Sequence, residues 1–182
     1  MNHWLLVPVL LPLMCGALLM TSSRSPLSLT RSVSAVSVVV LLLCAVYLLM
    51  TASNGQIQVY ALGNWSAPFG IVLLLDRLSA LMLLVTAVLA VFVTFYALRG
   101  DDLRGSYFHA LLQFQLAGIN GAFLTGDLFN LFVFFEILLI ASYALLLHGL
   151  GAARIRAALH YVILNLIGSG LFLIAAGLFY GV

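Results

Sequence analysis

The chain has 182 residues, 65% of them hydrophobic and 7% charged, and none is lysine. A soluble domain carries about a quarter charged residues, so this composition excludes a soluble enzyme and a disordered regulator. Seven basic residues, all arginine and without a cluster, leave no electrostatic footprint for nucleic acid. Cys15 and Cys44 sit inside apolar runs, too few for a disulfide framework and without metal-ligand spacing, so they read as buried thiols. The reading is an all-α integral membrane protein that needs no cofactor and no metal.

Six stretches are long enough to cross a hydrocarbon core of about 30 Å. In chain order they are Trp4 to Thr21, Val33 to Ala52, Leu78 to Leu98, Tyr107 to Leu124, Leu128 to Leu147 and Ala157 to Tyr180. The third is allowed to begin as early as Ile71. Each is apolar all round, unlike a surface helix, and none shows the alternation of a membrane barrel strand. The first lacks the positive flank of a signal peptide, since only His3 precedes it, and its Pro8 and Pro12 are tolerated in membrane helices. It is expected to be retained.

Arg24, Arg31, Arg99, Arg104, Arg154 and Arg156 all fall on one side of this topology, and only Arg77 falls on the other. The positive-inside rule makes the first side cytoplasmic and predicts both termini outside. In the fourth span, Gly118, Ala122 and Gly126 recur every four residues, a stripe that lets a neighbouring backbone approach. Gly126 is expected to end that helix and Asp127 to cap the next, giving a tight hairpin. Asp76 and Arg77 are adjacent, do not face one another, and mark the outer end of span three with separate partners.

Glu136 is the conspicuous residue. It lies eight positions into the fifth span, about 12 Å at the helical rise, near the bilayer midplane. A charged carboxylate there costs at least about 2.5 kcal/mol, so it is expected to face protein or water and to exchange a proton. The bland alternative is a protonated acid that joins two helices by a hydrogen bond. His160 lies one turn inside the cytoplasmic end of span six, four residues after Arg156, and reads equally as a proton relay or an interfacial residue. His109 and His148 read as interface residues at the same mouth. Glu136 and His160 are too far apart in depth to touch, so a water chain lined by Asn165, Tyr143 or Ser142 would have to join them. Taken singly, each of those three reads better as an interhelical hydrogen-bonding residue.

Three segments resemble a known family: Gly63-Asn-Trp-Ser-Ala-Pro-Phe-Gly-Ile-Val, Asp76-Arg-Leu-Ser-Ala-Leu-Met, and the block from Asn120 through Thr125-Gly-Asp127 to Glu136. They are similar to the D-type subunits of the Mrp and Pha multi-subunit monovalent cation/proton antiporters, relatives of the antiporter-like subunits of respiratory complex I. The resemblance covers essentially the whole chain. It implies that residues 1–182 form a single transmembrane domain, the N-terminal portion of the antiporter-like fold. It also implies a multi-pass bacterial cell-membrane location, with protons, a monovalent cation and other antiporter subunits as partners. By the same resemblance Glu136 matches the family's functional glutamate of the fifth helix, which works with a lysine from a broken seventh helix. The chain has neither, and so reads as a fragment, a truncated product or one piece of a split protein. Histidine at position 160, where many members carry lysine, resembles the potassium-linked Pha type and tilts the reading toward K+ over Na+. Two alternatives stand beside it: a proton-pumping subunit of an NADH- or hydrogenase-type redox complex, and a structural fragment without transport.

Overall fold

The computed structural model describes residues 2–21, 26–64, 70–105, 107–149 and 151–180. Arg24, one of the six arginines counted above, lies outside the described residues, as does the Trp65 to Phe69 part of the Gly63 motif. Six α-helices follow in order: α1 (Val7–Thr21), α2 (Leu27–Ser53), α3 (Arg77–Ala97), α4 (Phe108–Leu124), α5 (Leu128–Leu146) and α6 (Ala152–Tyr180). Among the described residues, five segments are long and apolar enough to cross a membrane, the first counted from His3 through the 3-10 turn that precedes α1; α4, with 17 residues, is not among them.

Each apolar run becomes a helix, with two corrections at the ends. α2 starts at Leu27 and α6 at Ala152, so Arg31, Arg154 and Arg156 lie on helical turns rather than in loops. Long arginine stems run along apolar surface while the guanidinium reaches water, which lets a helix continue past the hydrocarbon boundary. The long loop after α2 is also not irregular throughout. Strands β1 (Gln58–Ala61) and β2 (Val72–Leu75) pair antiparallel, with Gln58 opposite Leu75. Residues 72–75 are therefore strand, and α3 cannot begin at Ile71. It begins at Arg77, where the Asp76 carboxylate accepts from Ser79 N at 2.7 Å and the Ser79 hydroxyl accepts from Asp76 N at 2.9 Å. This reciprocal cap satisfies two donors that a helix start leaves free. Arg77 finds its own partner, the Ser53 carbonyl at 3.1 Å.

α4 is the centre of the bundle. Ten of its residues are buried, whereas α6 buries only Ala158 and Ala176, which puts α6 at the periphery. The contact of α4 with α5 depends on glycine. A Cβ on Gly118 would sit 2.6 Å from the Leu138 backbone nitrogen, and one on Gly121 would enter the Phe134 ring. Gly126 does not extend this stripe. Its N–H donates to the Val72 carbonyl at 2.9 Å, and α4 ends at Leu124 with Thr125 as its C-cap. The α4–α5 turn is thus stitched to β2 rather than closed by a glycine cap.

A kink residue explains one buried polar contact. Pro12 has no N–H, so the carbonyl four residues earlier, on Pro8, loses its helical donor. Asn120 of α4, 4% exposed, donates its side-chain amide to that carbonyl at 2.8 Å. Replacing Asn120 by leucine strands the Pro8 carbonyl in an apolar interior, at about 1–3 kcal/mol. We expect a lowered midpoint in a thermal-unfolding assay of the detergent-extracted protein. An unchanged midpoint would mean that the Pro8 carbonyl is satisfied by another route.

The two ends of the bundle differ in chemistry. At one, His3 and Asn2 meet Tyr60 and Gln58 of the hairpin, and Tyr180 at the end of α6 meets Asp127. The described chain ends thus lie beside the hairpin. At the other end the charges gather. Arg31 donates through Nε and Nη2 to the two Asp102 oxygens at 2.6 and 2.8 Å, and His109 Nε2 lies 3.1 Å from the same carboxylate. A carboxylate in such a fork only accepts, so Nε2 carries the proton. The Arg31 fork holds the Asp102 carboxyl below its ordinary range against the opposing effect of burial, with His109 assisting. His109, read from the sequence as an interface residue, lies in the first turn of α4 at this end, is 2% exposed and shares Asp102 with Arg31. His148 Nε2 donates to the Asp101 carbonyl at 2.8 Å and ties the α5–α6 turn to the same loop.

Candidate functional site around Glu136

α5 is uncharged between its two ends except at Glu136. Phe134, Leu138 and buried Ala141 face α4, as the glycine contacts and burial show. At 100° per residue, Glu136 projects from the opposite side of the helix, on the flank next to α6. Its side chain is half-buried. Among the described residues, the fully enclosed Oε1 atom has no hydrogen-bond partner. Buried polar atoms are paired in the great majority of cases, so an orphaned carboxyl oxygen at mid-helix calls for an explanation.

Two aromatic pairs fix how α6 lies on α5. Phe132 stacks on Phe172 at 6.3 Å, and Tyr143 meets Tyr161 edge-to-face at 5.7 Å. The pairs are the same number of residues apart on both helices, so the antiparallel register holds between them. Gly168 is then level with Glu136, and Asn165 with Leu139. Gly168 and Asn165 line a crevice of about 280 Å³ between the helices, with Phe132 and Phe135 on the α5 wall. A Cβ on Gly168 would meet nothing within 4 Å. The site is therefore a carboxyl with an enclosed, unpartnered oxygen, level with a neighbouring cleft whose lining does not include Glu136.

The other residues singled out from the sequence fall around it unequally. His160 is level with Ala144, about 12 Å from Glu136 along the helix axis. It is exposed, and its Nδ1 bonds the Arg156 carbonyl of its own helix at 2.9 Å. The structure does not bring it to Glu136. Asn165 donates to the Tyr161 carbonyl at 2.8 Å and Ser142 to the Leu139 carbonyl at 2.7 Å, so both spend a donor on their own helices. Tyr143 does not: its enclosed hydroxyl has no partner among the described residues.

Asp127 belongs to the far end. It caps α5 by accepting from Phe129 N at 2.9 Å and Asn130 N at 3.3 Å, and it also accepts the Tyr180 hydroxyl at 2.6 Å and the Asn130 side-chain amide. Burial pushes its carboxyl up, but the Tyr180 hydroxyl and the α5 N–H groups outweigh that and hold it below the ordinary range. Among the described residues, no three His, Cys, Asp or Glu side chains converge as a metal site.

Sequence reading missed the buried polar residues of α4. Gln113, fully buried, accepts the Ser37 hydroxyl at 3.0 Å and donates to Ser34 at 3.4 Å. The signal was available, because a polar residue within an apolar span requires a partner.

Comparison with known proteins agrees over the whole chain. Residues 125–182 match the family described as NADH:quinone oxidoreductase/Mrp antiporter, transmembrane. The chain is 48% identical to the D-type subunit of a probable K(+)/H(+) antiporter from Rhizobium meliloti, over 100% of its own length and 34% of that protein's. It is 40% identical to the D-type subunit of the Na(+)/H(+) antiporter of Bacillus subtilis, over 100% of this chain and 37% of that one. Among solved structures, the Mrp complex of Dietzia sp. matches with a TM-score of 0.90 at 32% identity, over 100% of this chain and 35% of its own. An archaeal membrane-bound sulfane sulfur reductase matches with a TM-score of 0.92 at 27% identity, over 99% of this chain and 37% of its own. The chain spans about a third of the length of these relatives. In sequence and in fold the chain is similar, along its whole length, to the N-terminal part of the D-type subunits of the Mrp-type multi-subunit cation/proton antiporters, which are multi-pass membrane proteins.

Proposed function

We propose that this chain supplies the proton-binding half of a pathway in a multi-subunit monovalent cation/proton antiporter, as a transporter subunit rather than an enzyme. The observation that carries the reading is the Glu136 carboxyl, with one oxygen enclosed and unpartnered midway along α5, level with the α5–α6 cleft. Such a group binds a proton when isolated and releases it when a cationic partner approaches, because an opposite charge favours the ionised form. Residues 1–182 act as one transmembrane domain within the longer fold. The arginine-bearing end faces the cytoplasm and both chain ends face outward. Identity to the Rhizobium meliloti protein, together with histidine at position 160, favours K+ over Na+. Asn165 belongs to the same cleft, whereas Asp127 shapes the outer end of α5.

The test is transport by the assembled complex in proteoliposomes. Addition of K+ or Na+ should dissipate an imposed pH gradient with the subunit present and not when it is omitted. Equal dissipation without it would remove the chain from the pathway. His160 is assigned as the cytoplasmic gate. His160→Ala should slow exchange and change its pH dependence, since the imidazole can accept and donate a proton and alanine cannot. An unaltered rate and profile would leave His160 as an interfacial residue. The likeness to the sulfane sulfur reductase supports a second reading, a membrane subunit of a redox complex. Adjoining genes for iron–sulfur and flavin subunits would favour it; genes for small antiporter subunits would exclude it.

A further inference from the structure

We propose that the buried Tyr143 hydroxyl is a water-holding station on the proton path, joining Glu136 to the α5–α6 turn. This inference rests on the reading of Glu136 as the proton site and adds the next element along the route. Three polar residues on these helices could line such a route, and the structure separates them. Ser142 and Asn165 direct donors to carbonyls of their own helices. Tyr143 places its hydroxyl in an enclosed position with no hydrogen-bond partner among the described residues, as Glu136 does with Oε1. Leaving a buried hydroxyl unsatisfied is destabilising, whereas the apolar ring alone would fill the same space without that penalty. A phenylalanine would therefore serve packing better, and the hydroxyl needs a purpose.

Its placement suggests one. Tyr143 lies two turns after Glu136, about 10 Å along the axis and within 20° of the same side of α5. Helical side chains tilt toward the N-terminus, so the ring leans from its own turn back toward Glu136. Glu136 and Tyr161 are the ionisable groups close enough to act electrostatically on the hydroxyl. The interval is level with Asn165 and Gly168, which line the neighbouring cleft, although neither Glu136 nor Tyr143 is among its lining residues. In this proposal a short chain of waters bridges the interval, accepting from Tyr143 and donating to the Glu136 carboxylate. A proton moving toward Glu136 arrives on the tyrosine oxygen as the tyrosine passes its own proton to the water. The water passes one of its protons to the carboxylate, so the hydroxyl ends neutral and no other reactant is needed.

The experiment is Tyr143→Phe in the full-length subunit within the assembled complex, measured as cation-dependent proton exchange. The Tyr161 edge-to-face contact survives in this variant, so folding is preserved. We expect the maximal rate to fall roughly a hundredfold or more, the scale of losing a positioned proton-transfer group, with the cation concentration for half-maximal rate unchanged. Tyr161→Phe removes a hydroxyl at the same level on the exposed face of α6, and should exchange at the wild-type rate. A wild-type rate in Tyr143→Phe beside an inactive Glu136→Gln would overturn the station and keep the proton site. Equal losses in the two phenylalanine variants would also overturn it. A wild-type rate in Glu136→Gln would overturn the underlying reading itself.

Discussion

Glu136→Gln is expected to abolish cation-dependent proton exchange while the subunit still inserts and assembles. Glutamine keeps the length of the side chain and most of its hydrogen bonding, but it cannot ionise. If Glu136 merely joined helices, the variant would exchange normally, since an interhelical hydrogen bond in a membrane is worth under about 1 kcal/mol on average. The geometry argues against that role. Oε1 has no described partner to join to, and the α6 residue level with it is a glycine. The bundle packs through other contacts: Gly118 on Leu138, Gly121 on Phe134, and Phe132 on Phe172. Assembly, scored by co-purification of the other subunits, should therefore be unchanged. Loss of co-purification would move Glu136 from transport to structure.

Gly118→Leu should have the largest structural effect. The nearest obstacle to a Cβ there is the Leu138 backbone nitrogen at 2.6 Å, followed by the Leu138 Cβ at 2.8 Å. Backbone cannot rotate aside as a side chain does, so α4 and α5 must separate. Overpacking of this kind costs about 1–3 kcal/mol and occasionally more; with the added bulk of leucine we expect about 3 kcal/mol or above. The measured outcome is loss of the extractable folded subunit from membranes. Gly126→Ala is the contrast, since its Cβ would meet Val72 and Leu74 at 3.5 to 3.6 Å, an ordinary contact. If both variants were recovered at wild-type levels, the close α4–α5 approach would be wrong.

The helices and the Asp127 cap were legible because they depend on local chemistry. Apolar runs set the number of helices, and Asp127 marks the start of α5 by the side-chain acceptor that free N–H groups need. The Asp76 cap, by contrast, was not anticipated, and the glycine cap expected at Gly126 does not form. What escaped was set by distance along the chain. Arg31 and Asp102 are 71 residues apart, and Asn120 and Pro8 are 112 apart. Neither pairing has a spacing to read. Gly121 was passed over because the stripe was read at intervals of four, whereas α5 crosses α4 over Gly118 and Gly121, three apart. The short strands β1 and β2 leave too little pattern to register against a loop. At the site, Glu136 stood out through its isolation in an apolar run. The distinction among Ser142, Asn165 and Tyr143 required knowing which donors the helices had already engaged.

The central claim is that Glu136 itself takes up and releases the transported proton. It is tested most directly by pH-jump difference infrared spectroscopy of the assembled complex, comparing the wild type with Glu136→Gln. A protonated carboxyl has a carbonyl stretch that neither a carboxylate nor an amide shares. The account predicts one such band that appears on acidification, weakens when the transported cation is added, and is missing from the variant. Identical difference spectra from the two proteins would contradict it.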